Sequence, residues 1–165
     1  MGKINGVTMY NWATDLFPLC RSITGNGNRE TLRYLSTICN QLTIKSVPTG
    51  YKAFDWTVPE EWNIRSAWIK DSQGNKVVDF KDNNLHVVGY SIPINTIISY
   101  NQLVNFLHTL PQQPTAIPYK TSYYEKTWGF CISEEEKLKL LPGDYHVYID
   151  SDHSIGQLDY GEIVI

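Results

Sequence analysis

No apolar run in this chain approaches the roughly 18 residues that a membrane-crossing helix requires, so the sequence predicts no membrane partner. The opening residues MGKINGVTMYNW lack the apolar centre of a secretory signal. Cysteine is scarce: Cys20, Cys39 and Cys131 stand far apart and form no C-x-x-C pair. Few cysteines without an export signal predict reduced thiols and a cytoplasmic location. Positive charge is also thin, with 14 Lys and Arg against 17 Asp and Glu for a net charge of −3. That leaves no basic stripe for a phosphate backbone, and nucleic acid is not an expected partner. Catalytic and metal-binding patterns are missing as well. His86, His108, His146 and His153 are scattered, with no H-x-H, H-E-x-x-H or H-x-x-E-H among them. No local signature supports Cys131 and His146 as a nucleophile and its base. Glu134, Glu135 and Glu136 read as an acidic first helical turn, and Gly25-Asn26-Gly27 has neither G-x-G-x-x-G nor a Walker lysine beside it. Glycines supplying positive φ are the simpler reading of that turn. The sequence predicts no catalytic residue, cofactor or metal ligand in this chain.

What is present is the material of a folded protein. A length of 165 residues suits one domain, or one domain with part of a second. Five Trp and eleven Tyr are many for that length, and they gather in 51–68 and 119–130. Such rings pack sheets and cores. They also build binding walls, because Tyr and Trp join apolar area to a polar tip. For 119–130 both readings stay open.

Along the chain, Met9, Trp12, Leu16 and Leu19 mark a helical stripe over 8–21, with Pro18 expected to kink or shorten it. After the SITGNGN turn, Asn28 is a candidate cap for a second helix faced by Leu32, Leu35, Ile38 and Leu42. From residue 43 the period changes to that of strands, expected at 43–47, 52–58, 64–70, 76–80 and 85–90. Ser99 with Gln102 and Ser133 with Glu136 form capping boxes for two short helices. Strands at 144–150 and 158–165 follow, the first with Tyr145, Val147 and Ile149 alternating against His146 and Tyr148. The apolar ending Ile163-Val164-Ile165 would be a sheet edge in need of cover, either the last strand of a complete sheet or a strand that a longer polypeptide covers. The expected class is α+β: an N-terminal helical pair plus a β-rich domain, sandwich or barrel-like, with short helices.

Five blocks, LFPLCRSITGNGNRETLRYL (16–35), TGYKAFDWTVPEEWNIRSAWI (49–69), NLHVVGYSIPI (84–94), AIPYKTSYYEKTWGFC (116–131) and DYGEIVI (159–165), together resemble the N-terminal part of a bacterial family of zinc aminopeptidase-like proteins, often called domain-of-unknown-function proteins. The resemblance runs from about residue 10 onward, in order. It implies a di-zinc exopeptidase-type α/β domain with a β-rich domain inserted near its start. Residues 1–48 would then be the N-terminal helices and first strand of the aminopeptidase-like domain, a partial α/β sheet. Residues 49–156 would be the insertion, and 157–165 the strand that returns to that sheet. The family's zinc-binding His and Asp would lie beyond Ile165, so no ligand carries over to this chain, while zinc is implied for the full-length family.

On this reading the chain is a non-catalytic portion giving scaffold and a pocket wall, inactive alone, with the remaining C-terminal part of the aminopeptidase-like domain as its partner. Candidate pocket residues are Tyr119, Tyr123, Tyr124 and Trp128. Arg21 and Arg29 flank the Thr24–Gly27 turn and suit a carboxylate, or else serve as structural ion pairs. The rival readings are a stand-alone aromatic-lined module for a peptide or sugar-related ligand, and a structural interaction domain.

Overall fold

In the computed structural model, which describes residues 5–165, the chain opens with helix α1 (Gly6–Leu16), capped by the Asn5 side chain on the Thr8 N–H. Phe17 closes it, so Pro18 ends the helix and does not kink a longer one. Helix α2 (Asn26–Ile38) is capped by Gly25, at φ +86°, three residues before the expected cap Asn28. Only Leu32 of the two helices is buried. Strand β1 (Thr43–Pro48) follows. The strand expected at 52–58 is instead a miniature hairpin, β2 (Lys52–Ala53) and β3 (Trp56–Thr57), because Phe54 turns the chain at φ +58°.

The centre of the molecule is an open antiparallel sheet. Strand β4 (Glu61–Lys70) pairs with β5 (Lys76–Asp79) across a turn in which the Asp71 side chain accepts from the Gln73 and Asn75 N–H groups. The stretch 85–90, expected as a strand, is instead covered by a 3-10 turn at Asn84–His86 followed by single bridges from Val87 to Phe130 and from Gly89 to Thr121. Two local features defeat the strand there: the Asn83 side chain caps the Leu85 N–H, and Tyr90 sits at φ +68°. Strand β6 (Ile94–Ser99), which the pattern did not predict, begins just after Pro93, where proline's missing N–H costs no ladder bond. Then come α3 (Tyr100–Leu103) with its Ser99–Gln102 capping box, β7 (Leu107–His108), β8 (Phe130–Cys131) and α4 (Glu134–Leu138) with its Ser133–Glu136 box. Strand β9 (Asp144–Ser154) runs between β4 and β6, completing the order β5-β4-β9-β6, and β10 (Gln157–Glu162) leaves the sheet.

Alternation along β9 decides which face is the core. Tyr145, Val147, Ile149 and Ser151 are buried while His146, Tyr148, Asp150 and Asp152 are not. Opposite them, Ala67 and Ile69 of β4 are fully buried, and Leu103, Phe130 and Ile132 close the layer from the other side. Each buried Val, Ile, Leu or Phe side chain among them is worth about 1.5–3 kcal/mol once removed from water. The class is α+β as the sequence predicted, and the sheet stays open, with no barrel closed. Among the described residues, strands β1 and β10 pair only with each other, Thr43 opposite Glu162 through Pro48 opposite Gln157, as a two-stranded ribbon outside the main sheet.

Candidate functional site

Three segments converge beside β4: the turn between α1 and α2, the stretch 84–91, and the Tyr-rich loop 119–128. Buried Thr24 is the pin. Its hydroxyl lies 2.5 Å from the Tyr90 phenol oxygen and accepts the Trp62 N–H at 3.2 Å, while the phenol donates to the Glu60 carbonyl at 3.1 Å. Burial pushes the Tyr90 phenol above its ordinary value. Asn63 Oδ1 takes the Asn26 N–H at 2.8 Å, so the start of α2 spends that donor on a side chain of this chain. Gly27 sits against the Cys20 carbonyl, in space that a Cβ would fill; close approach, not positive φ, is what requires glycine there. The Tyr-rich loop is tied to Gly89, whose N–H donates to the Lys120 carbonyl at 2.8 Å and whose own carbonyl accepts the Ser122 N–H at 2.9 Å.

Clefts of ligand size open around this junction. A cleft of about 400 Å³ lies between Leu19–Ile23, Leu85 and Tyr119. It brings Arg21 and Tyr119 together, with Cys20, whose thiol burial pushes up to about 11. Arg21 meanwhile donates to the Leu16 carbonyl at 2.6 Å, satisfying a free end group of α1. A shallow hollow of about 160 Å³ holds Tyr123 and Tyr124 with His153 and Glu60. Tyr123 stands edge-on to Tyr90 at 5.1 Å, while Tyr124 is four-fifths exposed. A cleft of about 350 Å³ is floored by Trp128 and Phe106, stacked 4.0 Å apart, and walled by Tyr124, His108 and Lys120. The four aromatics therefore serve three neighbouring hollows and do not form one wall.

Arg29 lies apart from these clefts. It forks onto Glu61 and reaches Asp159 at 3.2 Å, joining α2 to β4 and β10, an arrangement of the structural ion-pair kind. Sequence reasoning missed His108 and Lys120. The Lys120 ammonium donates to His108 Nδ1 at 3.1 Å, which fixes a neutral ring with its proton on Nε2. Burial, then the Lys120 charge, pushes His108 below its ordinary value. No spacing motif joins residues twelve apart on a strand end and a loop, so nothing in the sequence pointed to the pair. Cys131 is fully buried and His146 bonds Asn95 at 2.7 Å on the opposite face of the sheet, so the two make no nucleophile and base. Among the described residues no group of three His, Cys, Asp or Glu could hold a metal ion, and no helix is long and apolar enough to cross a membrane. The residues here do not fit the zinc that the family resemblance implies.

Fold and site define an α+β unit with aromatic-lined clefts on an open sheet and an outlying ribbon. The chain belongs to the family described as domain of unknown function (DUF2172), whose model matches residues 61–152. It is 47% identical over 160 residues to a Clostridium acetobutylicum protein named as a candidate polysaccharide biosynthesis protein with an aminopeptidase-like domain. That match covers 97% of this chain and 37% of the relative. A crystal structure from the same organism, named as a candidate peptidase, superposes with a TM-score of 0.89 at 47% identity, over 94% of this chain and 37% of that one. The chain thus spans little more than a third of the length of the proteins it matches.

Proposed function

We propose that this chain is the non-catalytic N-terminal portion of a zinc-dependent aminopeptidase-like protein, acting in the cytoplasm as scaffold and as one wall of the substrate pocket. The observation that carries the reading is the β1–β10 ribbon: it is two strands wide, its outer edges are unpaired among the described residues, and Ile44 and Tyr160 lie exposed on it with Ile163 exposed just past its end. Unpaired apolar edges call for cover. The remaining C-terminal part of the aminopeptidase-like domain is the proposed partner that covers it. The likeness to a longer protein named for an aminopeptidase-like domain supports the same choice. Zinc and its chemistry belong to that partner part on this reading, and no step runs through residues of this chain.

The test is complementation. The chain is co-expressed with the portion of the clostridial relative that lies outside the matched stretch, and the products are assayed for complex formation, zinc content and release of leucine from a chromogenic amide. A stable one-to-one complex carrying zinc, with this chain alone holding none, is the expected result. Stoichiometric zinc or peptidase activity in this chain alone, or no complex, overturns it.

A second reading, a binding module for peptide or sugar-related ligands, is favoured by one observation: the cleft over Phe106 and Trp128 is built entirely from residues 88–128. It needs nothing from the ribbon or the partner. Saturable binding to the isolated chain supports it, and no response to any small ligand leaves only an interaction domain.

A further inference from the structure

The cleft over Phe106 and Trp128 carries a charge arrangement that packing does not explain. Its floor is apolar, made by Val88 and the stacked Phe106–Trp128 pair. One wall holds an exposed ammonium, Lys120, which makes no salt bridge among the described residues. A long lysine side chain normally pays rotamer entropy to grip a ligand, but here the bond from Nζ to His108 Nδ1 already fixes its direction. Because that bond uses one of three N–H groups, the others remain to donate. The His108 ring, holding its proton on Nε2, has no other hydrogen bond among the described residues. Thr121, also on this wall, has a buried hydroxyl with no partner among them. The free N–H groups of Lys120 and the His108 Nε2–H thus stand at the side of an apolar slot. Glu125 is the opposing charge, and Tyr124 the remaining titratable group lining the cleft.

We infer that this cleft binds the C-terminal residue of a short peptide, with the carboxylate on Lys120 and His108 and an apolar side chain over Val88, Phe106 and Trp128. A carboxylate meets the pre-aimed ammonium and the neutral imidazole N–H, the charge-assisted pairing that is stronger than a neutral one. The apolar floor selects an aliphatic or aromatic side chain in preference to the hydroxyl-rich face of an acidic sugar. The choice of a peptide rests on the peptidase-like reading; the charge and shape argument does not. A bound anion also favours imidazolium, so occupancy raises the His108 titration midpoint.

The experiment uses this chain with N-acetyl-leucine, its neutral analogue N-acetyl-leucinamide, and galacturonate, followed by NMR signals of His108 and the Trp128 indole. N-acetyl-leucine is expected to saturate both signals and to raise the His108 midpoint. The amide should bind about tenfold or more weakly, as loss of a charged hydrogen bond implies. Lys120→Gln should bring N-acetyl-leucine down to the level of the amide while the remaining spectrum stays unchanged. Equal binding of acid and amide, retention of affinity in Lys120→Gln, tighter binding of galacturonate, or no saturable response each overturns the inference. Because all arms use the chain alone, failure here is separable from failure of the complementation test.

Discussion

Arg29 holds Glu61 by two parallel bonds, Nη1 to Oε1 at 2.8 Å and Nη2 to Oε2 at 2.7 Å, and so fastens helix α2 to the first residue of the central sheet. The same guanidinium reaches Asp159 on β10, and Asp159 accepts from Ser46 at 2.5 Å and from Gln157 Nε2 at 2.7 Å. One cation thus joins the helical pair, the sheet and the ribbon. The ribbon is also held to the same elements by Asn28, whose Nδ2 donates to the Asp159 carbonyl at 2.7 Å, and by the Gln157 N–H, which donates to Glu61 at 2.9 Å.

Removing Arg29 leaves the buried Glu61 carboxylate without its partner. Arg29→Ala is expected to cost about 2–3 kcal/mol, below the figure for a fully buried pair because the guanidinium keeps 23% side-chain exposure. Urea denaturation at neutral pH measures this, and a change within ±0.5 kcal/mol, typical of an ordinary surface position, would refute the clamp.

The pair also sets an acid limit. Arg29's hydrogen bonds hold the Glu61 carboxyl below the usual glutamate value. A carboxyl lowered in the folded state stabilises the fold fully above the unfolded value of about 4.3, and the contribution is lost as pH falls through the folded value. Stability should therefore fall steeply as pH drops below about 5, and Glu61→Gln should flatten that part of the profile. A wild-type curve and a Glu61→Gln curve that stay parallel through the acid range would rule out the linkage.

Gly156 packs on this carboxylate so closely that a Cβ there would overlap the Glu61 side chain, which Arg29 and the Gln157 N–H hold in place. Gly156→Ala should destabilise the native protein by about 1–3 kcal/mol, the usual cost of overpacking. In a Glu61→Ala background the space is empty and the same substitution should cost little. A double-mutant cycle by denaturant titration reads the difference as coupling, and strict additivity would mean that Gly156 has some other role.

Much of the frame was legible in the residues because it is local. Ser99 with Gln102 and Ser133 with Glu136 marked two helix starts, and the alternation of Tyr145, Val147 and Ile149 marked the buried face of β9. What failed was equally local but hidden. Positive φ at Phe54 and Tyr90, which no sequence period reports, broke two expected strands. At the site, Tyr119, Tyr124 and Trp128 drew attention by composition. The Lys120–His108 pair did not, since one bond between a loop and a strand end leaves no periodic trace. Arg29 stood out beside the Thr24–Gly27 turn, but its partners Glu61 and Asp159 lie 32 and 130 residues away.

The thiols offer a check on the interior. Burial pushes Cys20 and Cys131 up to about 11, so at pH 8 very little of either is the reactive thiolate. Cys131 is fully buried, whereas Cys39, at the end of α2, is partly exposed. Iodoacetamide at pH 8 followed by peptide mass mapping should label Cys39 first, Cys20 slowly and Cys131 only on unfolding. Early labelling of Cys131 would show that β8 opens readily and is not part of the core.

The ribbon makes the last demand. Its two outer edges present N–H and C=O groups unpaired among the described residues, Ile44 and Tyr160 lie exposed on it and Ile163 just past its end, and Val7, Met9 and Tyr10 are exposed on α1. The Lys45–Glu162 ion pair is cross-strand, but opposite charges that neutralise each other repel no neighbour. An edge of this kind recruits another strand when none is supplied. The isolated chain is therefore expected to self-associate with rising concentration in sedimentation velocity runs. Ile44→Lys with Ile163→Lys should restore the monomer without lowering the unfolding midpoint, because neither side chain is buried. If the unaltered chain stays monomeric at its highest soluble concentration, the ribbon needs no cover. The partner-bound reading then loses the observation that carries it, while the peptide cleft, built from residues 88–128, is untouched.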